Sequence, residues 1–295
     1  MIIVIAGPTG VGKTKLSIEL AKKINGEIIN ADSTQVFKGL NIATAKVTKE
    51  EMENIPHHLI DIKEITEDYT VYDYQKDARK KIKEIESRGH IPILVGGTGL
   101  YIKAALYDYE FNEENSIKTD YSKFTKKELY QQLLEVDPNT EIHMNNRKRV
   151  ERALDYFKEN HVPMSNKEHT NKLLYDTIFI GLTTDREILY ERINNRVYEM
   201  LKHGLLEEAK EIYSLAIRTK AVMTPIGYKE LFNYFDGNCT LEDSICLIQQ
   251  RSRNYAKRQY TWFNHQLNMK WFNVNFKNFN ETIQEVIACV EDVKK

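Results

Sequence analysis

The sequence predicts an α/β protein: a parallel sheet flanked by helices, with a small all-helical subdomain inserted into it. Three observations carry that prediction. Between Met1 and Gly99 short apolar runs alternate with stretches of helical period, the order expected of βαβ units. The first run ends in Gly7-Pro8-Thr9-Gly10-Val11-Gly12-Lys13-Thr14, which matches G-x-x-x-x-G-K-[ST] between a strand and a helix and makes the sheet P-loop NTPase-like. From Asn112 to Lys172 the strand signals vanish into charged, helix-prone sequence, punctuated by Ser, Thr and Asp between Ser116 and Thr125. The expected division is a discontinuous P-loop core, residues 1–114 and 174–295, around an inserted helical subdomain of residues 115–173.

Met1 to Ala6 reads as a buried strand, because it has neither a basic leader nor a cleavage site and Gly7-Pro8 stops it far short of a membrane span. Leu16, Leu20 and Ile24 mark the following helix, which turns at Asn25-Gly26 into a second strand, Glu27 to Ala31, ending at Asp32. His58-Leu59-Ile60-Asp61-Ile62 reads as a third strand. A helix from Val71 to Ser87 stops at Gly89, before a strand from Ile91 to Val95 that breaks off in Gly96-Gly97-Thr98-Gly99. Strand sequence returns at Tyr175 to Gly181, and helical sequence follows through Lys220 and again from Leu241 to Gln266. No repeat at a solenoid period is visible.

Composition narrows the function classes. With 295 residues, 41% hydrophobic and 29% charged, the chain can bury a full core, which excludes disorder and a disulfide-stapled miniprotein. Forty-two Lys and Arg against 43 Asp and Glu leave a net charge of −1, so nucleic-acid binding must come from local patches. Cys239, Cys246 and Cys289 form no C-x-x-C pair, so reduced thiols in a cytoplasmic protein are expected rather than zinc or disulfides. No uncharged apolar run approaches the roughly 18 residues of a spanning helix, and no membrane association is expected.

The loop from Gly7 to Thr14 has a definite chemistry. Glycines let backbone N–H groups close around phosphate oxygens, the helix N-terminus adds partial positive charge, Lys13 neutralises the terminal phosphate, and the Thr14 hydroxyl can bind Mg²⁺. It identifies a polyphosphate without saying which one. An ATPase or GTPase would show an apolar strand ending in a metal-linked Asp and a residue to position water. Here Ile91 to Val95 ends in Gly96-Gly97-Thr98 instead, with Asp61 as a possible substitute.

Ligands of an open parallel sheet sit beyond the carboxyl ends of its strands. The phosphate loop, Asp32-Ser33-Thr34-Gln35 and Gly97-Thr98 all follow predicted strands and should line one cavity. Asp32 beside a cationic site stays ionised and can accept a proton, although a helix cap or a metal-shell ligand would also be an Asp. The Gln35 amide pairs a donor with an acceptor, as the amides that read adenine do. His57 and His58, adjacent in a strand, point to opposite faces and cannot share one metal ion.

Two basic segments stand out. No Asp or Glu occurs between Ser244 and Asn280, while Arg251, Arg253, Lys257, Arg258, Lys270 and Lys277 do. Arg253 and Lys257 share a helical face, with Tyr255, Trp262 and Phe263 free to pack inward. Arg147-Lys148-Arg149 and Arg152 form a second cluster in the insert. Either run could be a solvated face; together they suit a polyanion longer than a nucleotide. Arg186, Arg192 and Arg196 lie near whole-turn spacings and could close over phosphates or make surface ion pairs.

Assembled, these residues resemble the bacterial tRNA dimethylallyltransferase family, isopentenyltransferases that prenylate the adenine next to the anticodon. The resemblance covers nearly the whole chain. It rests on the Gly7–Thr14 loop, Ala31-Asp32-Ser33-Thr34-Gln35-Val36, Thr44-Ala45-Lys46, His57-His58-Leu59-Ile60-Asp61, Val95-Gly96-Gly97-Thr98-Gly99-Leu100-Tyr101, Arg152-Ala153-Leu154, Ile226-Gly227-Tyr228-Lys229-Glu230 and Tyr255-Ala256-Lys257-Arg258-Gln259. It implies transfer of a dimethylallyl group from dimethylallyl diphosphate to N6 of adenosine 37 of tRNA, with Mg²⁺ and with pyrophosphate leaving, by a chain acting as a monomer. The diphosphate would then lie on Gly7, Pro8, Thr9, Gly10, Val11, Gly12, Lys13 and Thr14, helped by Arg196 or, second, Arg192. Asp32 would take the amine proton and Thr98 would contact the reacting centre. Contacts to tRNA would come from Asp32, Ser33, Thr34 and Gln35 at the flipped base, from Lys148, Arg149, Val150, Glu151 and Arg152 in the insert, and from Gly227, Tyr228, Lys229 and the segment Ser252 to Gln259, with Arg253, Lys257, Arg258 and Gln259.

The chain departs from the family pattern at Ala43, where Gly is common, at Met144-Asn145-Asn146, where Pro-Asn-Asp is common, and at Ser252, often Thr. These changes touch loops and tRNA contacts rather than catalytic groups. Three rival readings make different predictions: a P-loop small-molecule kinase, a prenyltransferase of free adenine nucleotides, and a non-catalytic RNA-binding protein. The intact Lys13-Thr14 pair weighs against the last.

Overall fold

The computed structural model describes residues 1–109, 119–166 and 171–294. Among them six strands form one parallel sheet, in the order β3-β2-β4-β1-β5-β6. The central strand β1 (Ile2–Ala6) is buried along its whole length. It runs between β4 (Ile91–Gly96) and β5 (Thr177–Thr183) in register Ile3 to Ile93 and Ile3 to Ile178. A parallel strand with helices on both faces needs apolar side chains in both directions, which is why this segment is a continuous run rather than an alternation.

One face, carrying Ile3 and Ile5, packs on Leu16 and Leu20 of α1 (Lys13–Ile24) and on Val286 and Val290 of α11 (Phe279–Lys294). The opposite face, Ile2 and Val4, packs on Tyr74, Ala78 and Ile82 of α2 (Val71–Ser87) and on Ile102 of α3 (Gly99–Leu106). Thr70 starts α2 through a capping box, its hydroxyl accepting from the Asp73 amide at 3.2 Å and its amide donating to the Asp73 carboxylate at 2.8 Å. A second lobe gathers α6 (Arg186–Lys202), α7 (Leu205–Ser214), α8 (Lys220–Met223), α9 (Tyr228–Phe235) and α10 (Leu241–Gln266) around Val36, Leu40, Val197, Leu205, Val222 and Tyr228.

The chain divides into two compact units, Met1–Tyr107 with Leu173–Lys295, and Asp108–Lys172. The expected boundary between residues 114 and 115 lies outside the described residues. Leu173 goes with the first unit, where it bridges Tyr107. Taken by itself, the second unit is helical: α4 (Lys126–Val136) and α5 (Arg147–Asn160) enclose Tyr121, Leu129, Leu133, Val150, Ala153 and Leu154.

Two expectations need correction, and two elements were not anticipated. The strand expected over His58 to Ile62 is only His57–His58 (β3), because Leu59 (φ 62°) and Asp61 (φ 54°) turn left-handed. The helical stretch after β5 is broken at Gly204 (φ 96°) and Ala216 (φ 54°). Strand β6 (Lys270–Asn273) completes the sheet where no strand was expected, on only four residues with a polar end at each side. Helix α11 was likewise not anticipated, although Ile283, Val286, Ile287 and Val290 carry its period.

Candidate active site

Because the sheet is parallel, β1, β4 and β2 (Gly26–Asn30) release their loops at one edge. The loop after β1 ends at Gly12, whose φ of 99° suits glycine and whose open side is filled by the ring of Phe279, 2.6 Å from where a Cβ would stand. Lys13 turns its ammonium back into this loop, donating to the carbonyls of Gly7 (3.0 Å) and Pro8 (2.8 Å). Thr14 is exposed at the start of α1, whose first turn holds no acidic residue to cancel the positive end of the helix.

Charges converge here. Burial lowers the Lys13 pKa to about 8; the Asp32 carboxylate opposes that fall and the Arg196 guanidinium adds to it. Arg196 is itself pushed down chiefly by burial, with Glu51 and Asp32 restoring and Arg192 opposing. An arginine keeps its charge under such a shift, so Lys13, Arg196 and Asp32 lie in one shared field. Arg192 is exposed and otherwise occupied: its Nε donates to the Gly10 carbonyl at 3.2 Å, and its guanidinium lies 3.7 Å from the centre of the Phe276 ring. Of the two arginines that the spacing offered, Arg196 lies within the field of Lys13 and Asp32, while Arg192 is hydrogen-bonded to the loop itself at Gly10.

Asp32 is fixed by its own turn. Its Oδ1 accepts from the Thr34 amide (2.9 Å) and hydroxyl (2.7 Å). Its amide donates to the Asn30 side chain at 3.0 Å, and the buried Asn30 amide in turn donates to the carbonyls of Asp32 (3.1 Å) and Leu59 (3.0 Å). Thr98 closes the pocket from β4: its Oγ1 accepts from the Ser33 amide (3.1 Å), and its own amide donates to the Ala31 carbonyl (3.1 Å). Two phenols adjoin the carboxylate, those of Tyr101 and Tyr255. Burial first, and the charge of Asp32 second, push both pKa values up, so both stay protonated.

Several named residues sit differently from a simple surface reading. The Gln35 amide group donates to the carbonyls of Thr44 (3.0 Å) and Ala45 (3.2 Å), leaving its Oε1 as the end it can offer. Asp61 is paired with Lys46, which also holds the Phe37 carbonyl. His58 donates to or accepts from Glu27 at 2.6 Å, and His57 binds the Ile55 carbonyl, so the two rings are spent apart from each other. Burial would raise the Glu27 pKa, but Arg88, His58 and His90 together bring it down to about 2.

Lys148, Arg149 and Arg152 are exposed on α5, whereas Val150 is in the core of that unit and Glu151 accepts from Arg147 at 2.6 Å. Tyr228 is fully buried, its hydroxyl donating to Glu208 at 2.7 Å, while Lys229 beside it is exposed. On α10, Lys257 and Arg258 are exposed, Arg253 donates to Asn194, and Arg251 is committed to the buried Glu230 rather than to a free cationic face. A cavity of about 300 Å³ opens between Pro225, Ile226, Lys229 and Arg251, and a cleft of about 450 Å³ continues from Arg258 to Trp262; both are bordered by Asn254. Gln259 is 5% exposed, with both ends of its amide bound: Oε1 accepts from the Thr9 amide at 2.9 Å and Nε2 donates to the Gly97 carbonyl at 3.1 Å. Tyr255, read from the sequence as an inward-packing residue and as part of the Ser252–Gln259 segment, was not placed beside Asp32 by that reading. Its place one helical turn before Gln259 was the available signal.

A sequence model described as IPP transferase matches residues 35–266. The chain is 47% identical over 298 residues to the tRNA dimethylallyltransferase of Anoxybacillus flavithermus, covering 98% of this chain and 96% of that one. The crystal structure of a tRNA delta(2)-isopentenylpyrophosphate transferase from Staphylococcus epidermidis superimposes with a TM-score of 0.75 at 42% identity, covering 99% and 98% of the two chains. A eukaryotic dimethylallyltransferase acting on tRNA gives 0.86 at 33% identity, covering 99% of this chain and 79% of its own. A likeness that spans nearly the whole chain, and not the phosphate loop alone, means that the chain belongs to the IPP transferase family.

Proposed function

We propose that this chain transfers the dimethylallyl group of dimethylallyl diphosphate to N6 of adenosine 37 in a tRNA anticodon loop, releasing pyrophosphate. Dimethylallyl transfer to tRNA follows from family membership. The observation that carries the chemistry is the shared field of Lys13, Arg196 and Asp32, which sets a cationic diphosphate cradle beside a carboxylate. The allylic C–O bond breaks with its electron pair passing to the diphosphate, where the loop amides, Lys13 and Arg196 hold the growing charge. The N6 lone pair forms the new C–N bond, and the proton that N6 sheds passes to Asp32. Thr98 and the phenols of Tyr101 and Tyr255 line the acceptor side and limit water at an allylic centre with carbocation character.

The exposed Thr14 hydroxyl beside the phosphate loop is the group that would hold a Mg²⁺ ion, since this hard cation binds through few protein groups. Bound there, Mg²⁺ would neutralise leaving-group charge. A stacked base cannot enter the pocket, so the nucleotide is extruded at a cost of a few kcal/mol, roughly, in unstacking. Phosphate contacts from Lys148, Arg149 and Arg152, and from Lys229, Lys257 and Arg258, offset it. Every group named comes from one chain, so a monomer suffices; acting on tRNA, it would work in the cytoplasm.

The test is incubation with labelled dimethylallyl diphosphate, Mg²⁺ and unmodified tRNA carrying A36-A37-A38. Label is expected on A37, with turnover reduced about 10²- to 10⁴-fold in Asp32→Ala at nearly unchanged tRNA affinity. Equal labelling of free AMP, or ATP-dependent phosphorylation without prenyl transfer, would overturn the reading.

A further inference from the structure

The site is built from three loops that leave the sheet separately, and Gln259 of α10 ties two of them together, the second of which holds the third through Thr98. Gln259 takes the Thr9 N–H of the donor loop on its oxygen and gives its nitrogen to the Gly97 carbonyl of the loop after β4. The fit is close enough to dictate a glycine: a Cβ at residue 97 would stand 2.1 Å from the Gln259 nitrogen. Tyr255, one turn earlier on α10, sets its phenol beside Thr98, Gln259 and the Asp32 carboxylate. Thr98 then holds the amide of Ser33, next to Asp32. The chain of contacts runs from Thr9 through Gln259 to Gly97, and from its neighbour Thr98 to the Asp32 turn, with the Tyr255 ring packed beside it. Gln259 is buried and has both amide ends bound within the protein, which leaves little of it for tRNA.

We propose that Gln259 and Tyr255 are positioning residues that set the distance between the diphosphate loop and the Asp32–Thr98 pocket, so that donor carbon and acceptor nitrogen meet in line. This rests on the transferase reading above. A displacement on the scale of 1 Å between reacting groups is enough to lower turnover by about 100-fold while leaving each substrate its own contacts. The effect should therefore fall on kcat and not on binding.

The test uses the full chain and Gln259→Met, which keeps length and bulk but neither hydrogen bond, alongside Tyr255→Phe, which keeps the ring and loses the hydroxyl. For Gln259→Met, kcat should fall about 30- to 100-fold, with the Kd for pyrophosphate and for unmodified tRNA each within about threefold of wild type. Tyr255→Phe should lose about tenfold in kcat, and the double variant should lose less than the product of the two, because both act along one path. Gln259→Glu, which can still accept from Thr9 but turns a carboxylate toward the Gly97 carbonyl, should be as impaired as Gln259→Met. Wild-type kcat in Gln259→Met, or a loss confined to tRNA affinity, would overturn the proposal; the latter would make Gln259 a tRNA contact. If Gln259→Met fails to fold by circular dichroism, Tyr255→Phe decides the matter by the same split. A wild-type chain that transfers no prenyl group would instead overturn the transferase reading itself.

Discussion

The donor loop and the acceptor pocket are held in different ways. Around the diphosphate loop the backbone sets the shape: Lys13 is caught between two carbonyls, and Gly12 adopts a left-handed conformation against the ring of Phe279. Around Asp32 the shape is made by side chains, with Thr34, Asn30 and Thr98 each hydrogen-bonded to it or to its neighbours. A shape fixed by backbone survives most side-chain changes nearby. One fixed by polar side chains in a buried pocket can fail with a single truncation, since each lost partner leaves another group unpaired.

The sharpest way to break this comparison lies at the donor end. Arg196→Ala should lower kcat about 10²- to 10³-fold, in the range of a lost transition-state donor. Arg192→Ala, whose side chain is spent on Phe276 and the Gly10 carbonyl, should cost less than about tenfold by the scale of an exposed contact. Steady-state kinetics on the two variants checks the order, and equal losses would place both arginines on the diphosphate. At the acceptor end, Asn30→Ala leaves the buried Leu59 carbonyl and the Asp32 amide without their partner and should destabilise the fold by about 1–3 kcal/mol. Urea denaturation measures this; an unchanged midpoint would mean that the Asp32 turn stands without its support.

The smallest effect is one of pH. Burial lowers the Lys13 pKa to about 8, and on the proposed reading a diphosphate binds its charged form. Relative to Lys13→Met, the wild-type affinity for pyrophosphate should hold a constant advantage below that pH and lose up to about tenfold of it per unit above, with the lysine taking up a proton on binding near pH 8. Calorimetry in buffers of different ionisation heat reads that uptake directly, and Lys13→Met should abolish it.

How legible each end was follows from the same difference. The donor loop is contiguous, so Gly7 to Thr14 could be read as a unit from the order of residue types. Asp32 and Thr98 were found by the rule that loops at the carboxyl ends of parallel strands share a cavity, together with the family resemblance. The different surroundings of Arg192 and Arg196 were not readable, because residues four apart share one helical face and only tertiary packing against Phe276 separates them. The bond of Asn30 to Leu59 and the nearness of Tyr255 to Asp32 escaped for a related reason: in each case the two residues are remote in sequence. The His58 to Ile62 run misled because its apolar content matches a strand, while the left-handed φ of Leu59 and Asp61 leaves no trace in hydropathy.

The bond between Thr9 and Gln259 spans 250 residues. At the roughly 5–20 residues per second of synthesis, the donor loop waits on the order of ten to fifty seconds for its tether to leave the ribosome. A nascent chain thus carries its phosphate-binding motif from the outset but gains the fastening that sets it against Asp32 only after α10 has been made.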